Sequence, residues 1–413
     1  MSDLVTTVSG VLVVLGIALA VRLLVRNRDR IAYASVLVAV GLGAAVVGPD
    51  LGIELTNDVI FFLLLPTIIF QGTLTIEVPE LRHNAPLIVV LTLVGLPLAV
   101  VLLGVIGTVA FGFELAISLL FAAIILPTDP AAVLSLFEEF DVAERLAVTI
   151  EGESLLNDGV AIVIFSLLLA TIQAGQAVTD LATLSGLAGF LADVAVIGGG
   201  GLGLGVAFGY AAHQLVHRLD DTMAILLTTI VVAYGSFLVA EHYLHLSGVL
   251  ATVGAGLAMG AHEKTHARMS DPEETVQEVW STLGFLVTTV LYVLIGSATS
   301  PSQFVDHAGL ILMAAVLVVL VRALTIYPLV STTNRLTTEP VPLRCQHIMV
   351  WGGLHTVVPV ALVLSLPASV TTGRPLETMV FGVAILSIVV QGLLMPTALD
   401  LTGLADSAGG EKS

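Results

Sequence analysis

Thirteen predominantly apolar runs, most of them at or above about 17 residues, follow one another along this chain with only short polar or Gly/Pro-containing breaks between them. A run of that length crosses the hydrocarbon core as a helix, and backbone groups in lipid must be satisfied within the protein, so the pattern points to a polytopic helical membrane protein. The runs fall at 8–25, 31–48, 58–76, 86–110, 113–137, 146–172, 187–212, 221–241, 246–262, 276–298, 305–330, 346–366 and 376–398. Composition agrees, with 57% hydrophobic and 11% charged residues, a balance that a water-soluble domain of this size could not cover. The expected fold class is all-α, with about 13 transmembrane helices.

An odd number of spans puts the two termini on opposite sides, and the basic residues say which is inside. If the first span exits into the cytoplasm, the inner side collects Arg22, Arg26, Arg28, Arg30, Arg82, Arg145, Arg218, Lys264, Arg268, Arg335, Arg344 and Lys412. The outer side keeps Arg374, and Arg322 lies within a span. The expected topology is therefore a multi-pass protein of the cell membrane with its N-terminus outside. Residues 1–400 read as one transmembrane domain and 401–413 as a short cytoplasmic tail. The stretch "VSGVLVVLGIALAVRLLV" reads as a span and not as a cleaved signal.

The charge balance narrows the partners. With 32 acidic against 14 basic residues and a net charge of −18, nucleic acid is excluded as an expected partner, which leaves membrane lipid and whatever crosses it. Carboxylate-rich, lysine-poor loops suit concentrated salt, where the short Debye length weakens their mutual repulsion, so a halophilic source is expected. The single cysteine, Cys345, falls in a predicted polar loop and offers neither a disulfide framework nor a cysteine metal site.

Against this apolar background the stretch 127–159, "PTDPAAVLSLFEEFDVAERLAVTIEGESLLNDG", carries Asp129, Glu153, Ser154 and Asp158 at positions that read as membrane-buried. At about 1.5 Å per residue, Asp129 and Asp158 lie roughly 12 and 18 Å from the inner ends of their spans. A charge near the bilayer centre is expensive, so an intramembrane carboxylate is a functional candidate by default. Pro127 and Pro130 bracket Thr128 and Asp129, removing backbone hydrogen bonds and freeing carbonyls that, with the Thr128 hydroxyl, suit a hard cation. On the next span Ser154 and Asp158 are four apart and share one face, while Glu153 and Asn157 share the neighbouring one. Arg322, in "VRALTIYP", matches Glu153 in charge and depth, which predicts a buried structural pair.

A second interruption falls in "HIMVWGGLHTVVPVALVLSLP", where Gly352, Gly353 and Pro359 flank His355. Two interrupted spans, the fifth and the twelfth, form the pattern of inverted-repeat transporters whose broken helices cross at the midplane. His355 either titrates there or, the preferred reading, is neutral and hydrogen-bonded to opened backbone. The run "GGGGLGLG" at 198–205 is read as close helix packing and not as a phosphate loop. His242 with His245, and His262 with His266, have metal-ligand spacing but lack a companion carboxylate, and are read as surface histidines. "EEFDVAE" between spans five and six reads as a solvated loop or as a funnel for cations.

The segments "FFLLLPTIIFQGTL", "LPTDPAAV", "EGESLLNDG", "VRALTIYP" and "VWGGLHTVVPVALVLSLP", in this order, resemble the sodium/proton exchangers of the NhaP and NHE type, in the monovalent cation/proton antiporter family. The resemblance implies a core of spans 4–6 and 11–13 (about 86–172 and 305–398) moving against a dimerisation part of spans 1–3 and 7–10 (about 8–76 and 187–298), in a homodimer. It implies Asp158 as the essential carboxylate, with Asp129, Ser154 and Thr128 as further ligands of Na+. Asn157 would hold the opened helices, and Glu153 and Arg322 would form the family's buried pair. An Asn at 157, which cannot carry a proton, implies electroneutral exchange.

Two departures stand out: Gln71, where an acidic residue is common, and His355 in "GGLHT", where Gly-Leu-Arg-Gly is commoner. Both are expected to modulate ion preference or pH dependence. The expected function is sodium or lithium/proton antiport serving pH homeostasis and sodium tolerance, with no enzymatic activity and no cofactor. Potassium/proton antiport is the alternative, and an intramembrane aspartic protease a distant one.

Overall fold

Apolar runs of this length have one way to satisfy their backbone in lipid, and every regular element among the described residues is helical. The computed structural model describes residues 2–26, 32–47, 56–130, 133–134, 136–137, 140, 142–219, 221–263, 271–298, 300–337 and 339–405. The tail residues 406–413, the loop acids Glu138, Glu139 and Asp141, His266, and Arg28, Arg30, Lys264, Arg268 and Lys412 lie outside the described residues.

The main helices in chain order are α1 (Ser2–Val25), α2 (Tyr33–Val47), α3 (Leu65–Thr75), α4 (Val78–Val90), α5 (Leu96–Ala110), α6 (Leu115–Ile125), α7 (Glu144–Gln173) and α8 (Leu184–Val216). They continue with α9 (Thr222–Leu238), α10 (Gly248–Glu263), α11 (Asp271–Ser297), α12 (Ala308–Thr333), α13 (Leu343–Trp351), α14 (Val357–Leu364), α15 (Leu376–Leu386) and α16 (Gly392–Thr402). Among the described residues, 8 helices are long and apolar enough to cross a membrane, and shorter apolar helices occupy Tyr33–Val46, Ile60–Thr75, Leu115–Ile125 and Gly248–Gly260. The expected twelfth span appears as two half-helices, α13 and α14. At 33 residues α8 is about 50 Å long, more than the hydrocarbon core needs.

Among the described residues, four helical segments contain π turns that hydropathy does not announce: Ile60–Leu64, Leu91–Gly95, Val239–Leu244 and Ser387–Gln391. Two of them have a local cause. Pro66 and Pro97 stand at the second position of α3 and α5 and offer no N–H. Just before each, the Leu65 and Leu96 N–H groups bond five residues back, to Ile60 and Leu91, so the ladder shifts register as it meets the proline.

The chain divides into two compact units, Met1–Asn57 with Pro86–Ile150 and Thr288–Ser413, and Asp58–Ala85 with Glu151–Val287. In the first, α5 packs on α6, α12 on α5 and α15, and α13 on α16. In the second, α8 packs along α10, which also carries α3 and α9. Phe70 and Trp280 lie at its centre with ring centroids 4.7 Å apart, and the indole donates to the Thr229 hydroxyl at 2.8 Å.

The glycine run of α8 lies in the α8–α10 contact. Gly201, Gly205 and Gly209, four apart and therefore on one face, press their backbone against the carbonyls of Ser247, Ala251 and Ala255. A methyl group at any of the three would overlap those oxygens, which is why glycine stands there. Gly203, in the same run but on another face, has nothing within 4 Å of where a Cβ would sit. Close helix packing, expected for this stretch, is its structural role.

Candidate functional site

The first unit contains both interrupted helices. The α6 helix closes with the Leu126 N–H bonded to the Ala122 carbonyl at 3.1 Å, after which residues 127–130 are not helical. Pro127 and Pro130 lack the N–H groups that would continue it. The α13 helix closes with the Gly352 N–H on the Ile348 carbonyl at 2.7 Å, and α14 begins at Val357.

The two gaps bond to each other. The Asp129 N–H donates to the Leu354 carbonyl at 2.7 Å. The His355 ring Nδ1 donates to the Pro127 carbonyl at 2.9 Å, and the Thr356 hydroxyl donates to Asp129 Oδ2. Tyr292 brings its hydroxyl to 3.4 Å from the same oxygen. Backbone groups released by each break thus find partners in the other.

The bond to Pro127 fixes one ring nitrogen of His355 as a donor. A carbonyl only accepts, so Nδ1 carries the proton. The side chain is buried, 1% exposed. The structure places the His355 ring on the opened backbone, hydrogen-bonded to the Pro127 carbonyl. Thr128 is buried and Asp129 half-buried in the same gap.

Two further groups hold the second gap. Ser387 and Gln391 bracket the π turn in the last span. Ser387 Oγ accepts the His355 N–H at 3.2 Å and donates to Gln391 Oε1 at 2.5 Å, while Gln391 Nε2 donates to the Trp351 carbonyl at 3.0 Å. The Trp351 indole returns a bond to the Gln391 carbonyl at 3.2 Å. Both ends of the break are therefore tied to one turn of a neighbouring helix. Arg322, 7% exposed, donates from Nε to the Met349 carbonyl at 3.0 Å and lies directly under Gly353, where a Cβ would overlap its guanidinium. The sequence reading passed over Ser387, Gln391, Thr356 and Tyr292. A signal existed for the first two, a polar pair four residues apart inside an apolar span.

The second unit holds the other candidates. On α7, Glu153, Ser154 and Asn157 are buried and Asp158 is half-buried, with Ser154 and Asp158 on one helix face as their spacing requires. The α3 helix approaches α7 through Gly72, where a Cβ would stand 3.3 Å from the Leu155 side chain, and the Thr75 hydroxyl donates to Glu151 at 3.2 Å. Gln71 packs on Gly284 of α11, its Oε1 3.0 Å from where a Cβ would be. Thr128, Asp129, Arg322 and His355 thus gather in one unit, and Gln71, Glu153, Ser154, Asn157 and Asp158 in the other.

Elsewhere, no group of three or more His, Cys, Asp or Glu side chains is arranged to hold a metal ion among the described residues. His242 packs its ring edge-on against Tyr243, and His245 takes a left-handed conformation with φ 53° just after a π turn. Among the described residues, His213 and His217 at the end of α8 do meet, with Nε2 atoms 2.9 Å apart. Cys345, expected in a polar loop, instead lies half-buried in the first turn of α13. Pro342 immediately before that helix starts it earlier than hydropathy alone suggests.

The family described as sodium/hydrogen exchanger, transmembrane, matches residues 11–401. The chain is 34% identical over 396 residues, 95% of its own length and 74% of the relative's, to the Na(+)/H(+) antiporter ApNhaP of Aphanothece halophytica. It is 31% identical over 404 residues, 95% of its length and 75% of the relative's, to the low-affinity Na(+)/H(+) antiporter NhaS1 of Synechocystis. The solved structure of the sodium proton antiporter MjNhaP1 from Methanocaldococcus jannaschii shares its fold, with a TM-score of 0.76 at 19% identity over 99% of this chain and 100% of that one.

Proposed function

The chain belongs to the sodium/hydrogen exchanger family, and from that premise we propose that it is a secondary-active antiporter exchanging sodium or lithium for protons across the cell membrane. The observation that carries the reading is the paired gap. Two helices open at the same place, bond to each other, and present Asp129 within a strongly apolar chain. Such a carboxylate is worth its expense only if it binds something.

In this reading Asp158 and Asp129 are the ion-binding carboxylates, and Ser154 and Thr128 add oxygen ligands of the kind hard cations favour. Sodium and protons use the same oxygens, so each excludes the other, and alternating access then couples their fluxes. Asn157 supports the opened helices and carries no proton, which favours electroneutral exchange. Glu153 and Arg322 form a buried structural pair, a reading supported by the burial of both side chains, 4% and 7% exposed. Gln71 and His355 tune ion preference. A six-helix core moves against a dimerisation part in a homodimer, with the N-terminus outside and the C-terminus cytoplasmic. The role is pH homeostasis and sodium tolerance, and the acid-rich surface fits life in salt. A transporter of this family leaves no role for an aspartic-protease chemistry.

The test is proton flux in proteoliposomes with an imposed pH gradient, read with a pH-sensitive dye, on adding sodium, lithium, potassium or calcium. Sodium and lithium should collapse the gradient in the wild type, and the Asp158→Asn protein, folded by its melting curve, should be inert. Collapse by potassium alone would overturn the ion assignment, and sodium-driven flux in the Asn variant would overturn the carboxylate.

A further inference from the structure

Thr356 is bonded to the candidate ion-binding carboxylate and has no part in the ligand set proposed above. Threonine just before a helix ordinarily turns its hydroxyl onto the N–H groups of the first turn. Thr356 occupies that position before α14 and makes no such bond. Its hydroxyl reaches Asp129 Oδ2 instead, across 227 positions of the chain. At 1% exposure a hydroxyl needs a partner inside the protein, and this is the one it has taken.

Asp129 is held from two segments at once, the gap before α14 and α11. Thr356 donates to Oδ2, Tyr292 stands 3.4 Å from the same oxygen, and Leu354 takes the backbone N–H at 2.7 Å. The carboxylate and the Thr356 oxygen therefore lie side by side in the opened part of the crossing. A hydroxyl has one O–H and two acceptor lone pairs, and the proton turns about the C–O bond without displacing a heavy atom. Hard cations accept neutral oxygens beside a carboxylate. One side chain can thus serve two states of the site.

We propose that Thr356 is a binding residue of the cation site: its hydroxyl donates to Asp129 when no cation is bound and turns to offer its oxygen as a ligand when a sodium-sized cation binds Asp129. The proposal rests on the antiporter reading and deepens it, since the same oxygen helps decide how much sodium the site needs. A structural anchor, fastening the start of α14 to Asp129 and nothing more, is the competing role.

Valine matches threonine in shape and lacks the oxygen, whereas serine keeps the oxygen. The test titrates sodium at fixed pH in the proteoliposome assay with wild type, Thr356→Val and Thr356→Ser, alongside the sodium-dependent rise in melting temperature in detergent. Thr356→Val should need about tenfold more sodium for half-maximal flux, the scale of one lost ligand oxygen, and its sodium-free melting temperature should also fall, because the bond to Asp129 goes with the oxygen. Thr356→Ser should stay near the wild type. A valine variant that half-saturates at the wild-type sodium concentration overturns the proposal, as does a serine variant that shifts as far as valine. If the valine protein does not fold, Thr356→Cys replaces it, with the weaker sulfur ligand expected to raise the sodium requirement and an unchanged requirement counting against the role. Absence of sodium-driven flux in the wild type would remove the antiporter reading itself. The melting shift with sodium, kept in serine and lost in valine, would then still assign Thr356 to a cation site, and a shift equal in both would reject it.

Discussion

The α8–α10 seam and the crossing of the two interrupted helices use glycine for opposite ends. In the seam, Gly201, Gly205 and Gly209 keep the helix continuous while bringing its backbone against neighbouring carbonyls. In the crossing, Gly352 and Gly353 stand where the helix stops, and the freed groups are met by Arg322, Ser387, Gln391 and the other gap. The seam gains van der Waals contact along its length and leaves both helices continuous, with the Ser247 N–H reaching the Ile197 carbonyl across it at 3.1 Å. The crossing forfeits helical bonds and replaces them with side chains and backbone from remote segments. Ion chemistry needs exposed oxygen, so the second arrangement can host it and the first cannot.

If that contrast is right, the crossing should be vulnerable to the loss of single polar side chains. Replacing Arg322 by Ala leaves the Met349 carbonyl without its donor and removes a buried cation, which should destabilise the protein by about 3–5 kcal/mol. The expected readout is a sharp loss of monodisperse protein in detergent and a lower melting temperature. An unchanged melting curve would mean that the crossing is held by backbone contact, as the seam is.

The seam should respond to volume instead. Gly205→Ala places a methyl group against the Ala251 carbonyl and is expected to cost about 1–3 kcal/mol by overpacking, while leaving the sodium concentration for half-maximal flux unchanged in whatever protein folds. A shifted sodium requirement would tie the seam to the ion site and blur the distinction. The smallest effect belongs to Gly203→Ala, two residues away with open space around it, which should be neutral or stabilising by up to about 1 kcal/mol. A melting temperature lowered as much as by Gly205→Ala would show that the register of the seam is misassigned.

Much of this was legible in the sequence for reasons that can be named. Pro127 and Pro130 announce the first gap because a proline has no N–H, and Gly352 with Gly353 mark the second. The hydrogen bond of His355 to opened backbone was readable because a lone histidine beside a helix break has carbonyls within reach. The glycine run was readable as packing because it lies inside a span with no Lys-Ser/Thr following. The π turn at Ser387–Gln391 was not legible, since its consequence is a bond to Trp351 from 40 positions away. Nor was the turn of Thr356 away from its own helix, which sequence-local capping rules would send the other way.

Hydropathy is a property of consecutive residues, and the bilayer converts it directly into spans, so the chain by itself determined the helical class, the approximate spans and the places where helices must open. Which partner each released group would find depends on segments that meet only after folding. The bonds of Thr356 to Asp129, of His355 to Pro127 and of Gln391 to Trp351 were therefore decided by the tertiary structure, because a buried donor takes the nearest acceptor in space, wherever it lies along the chain.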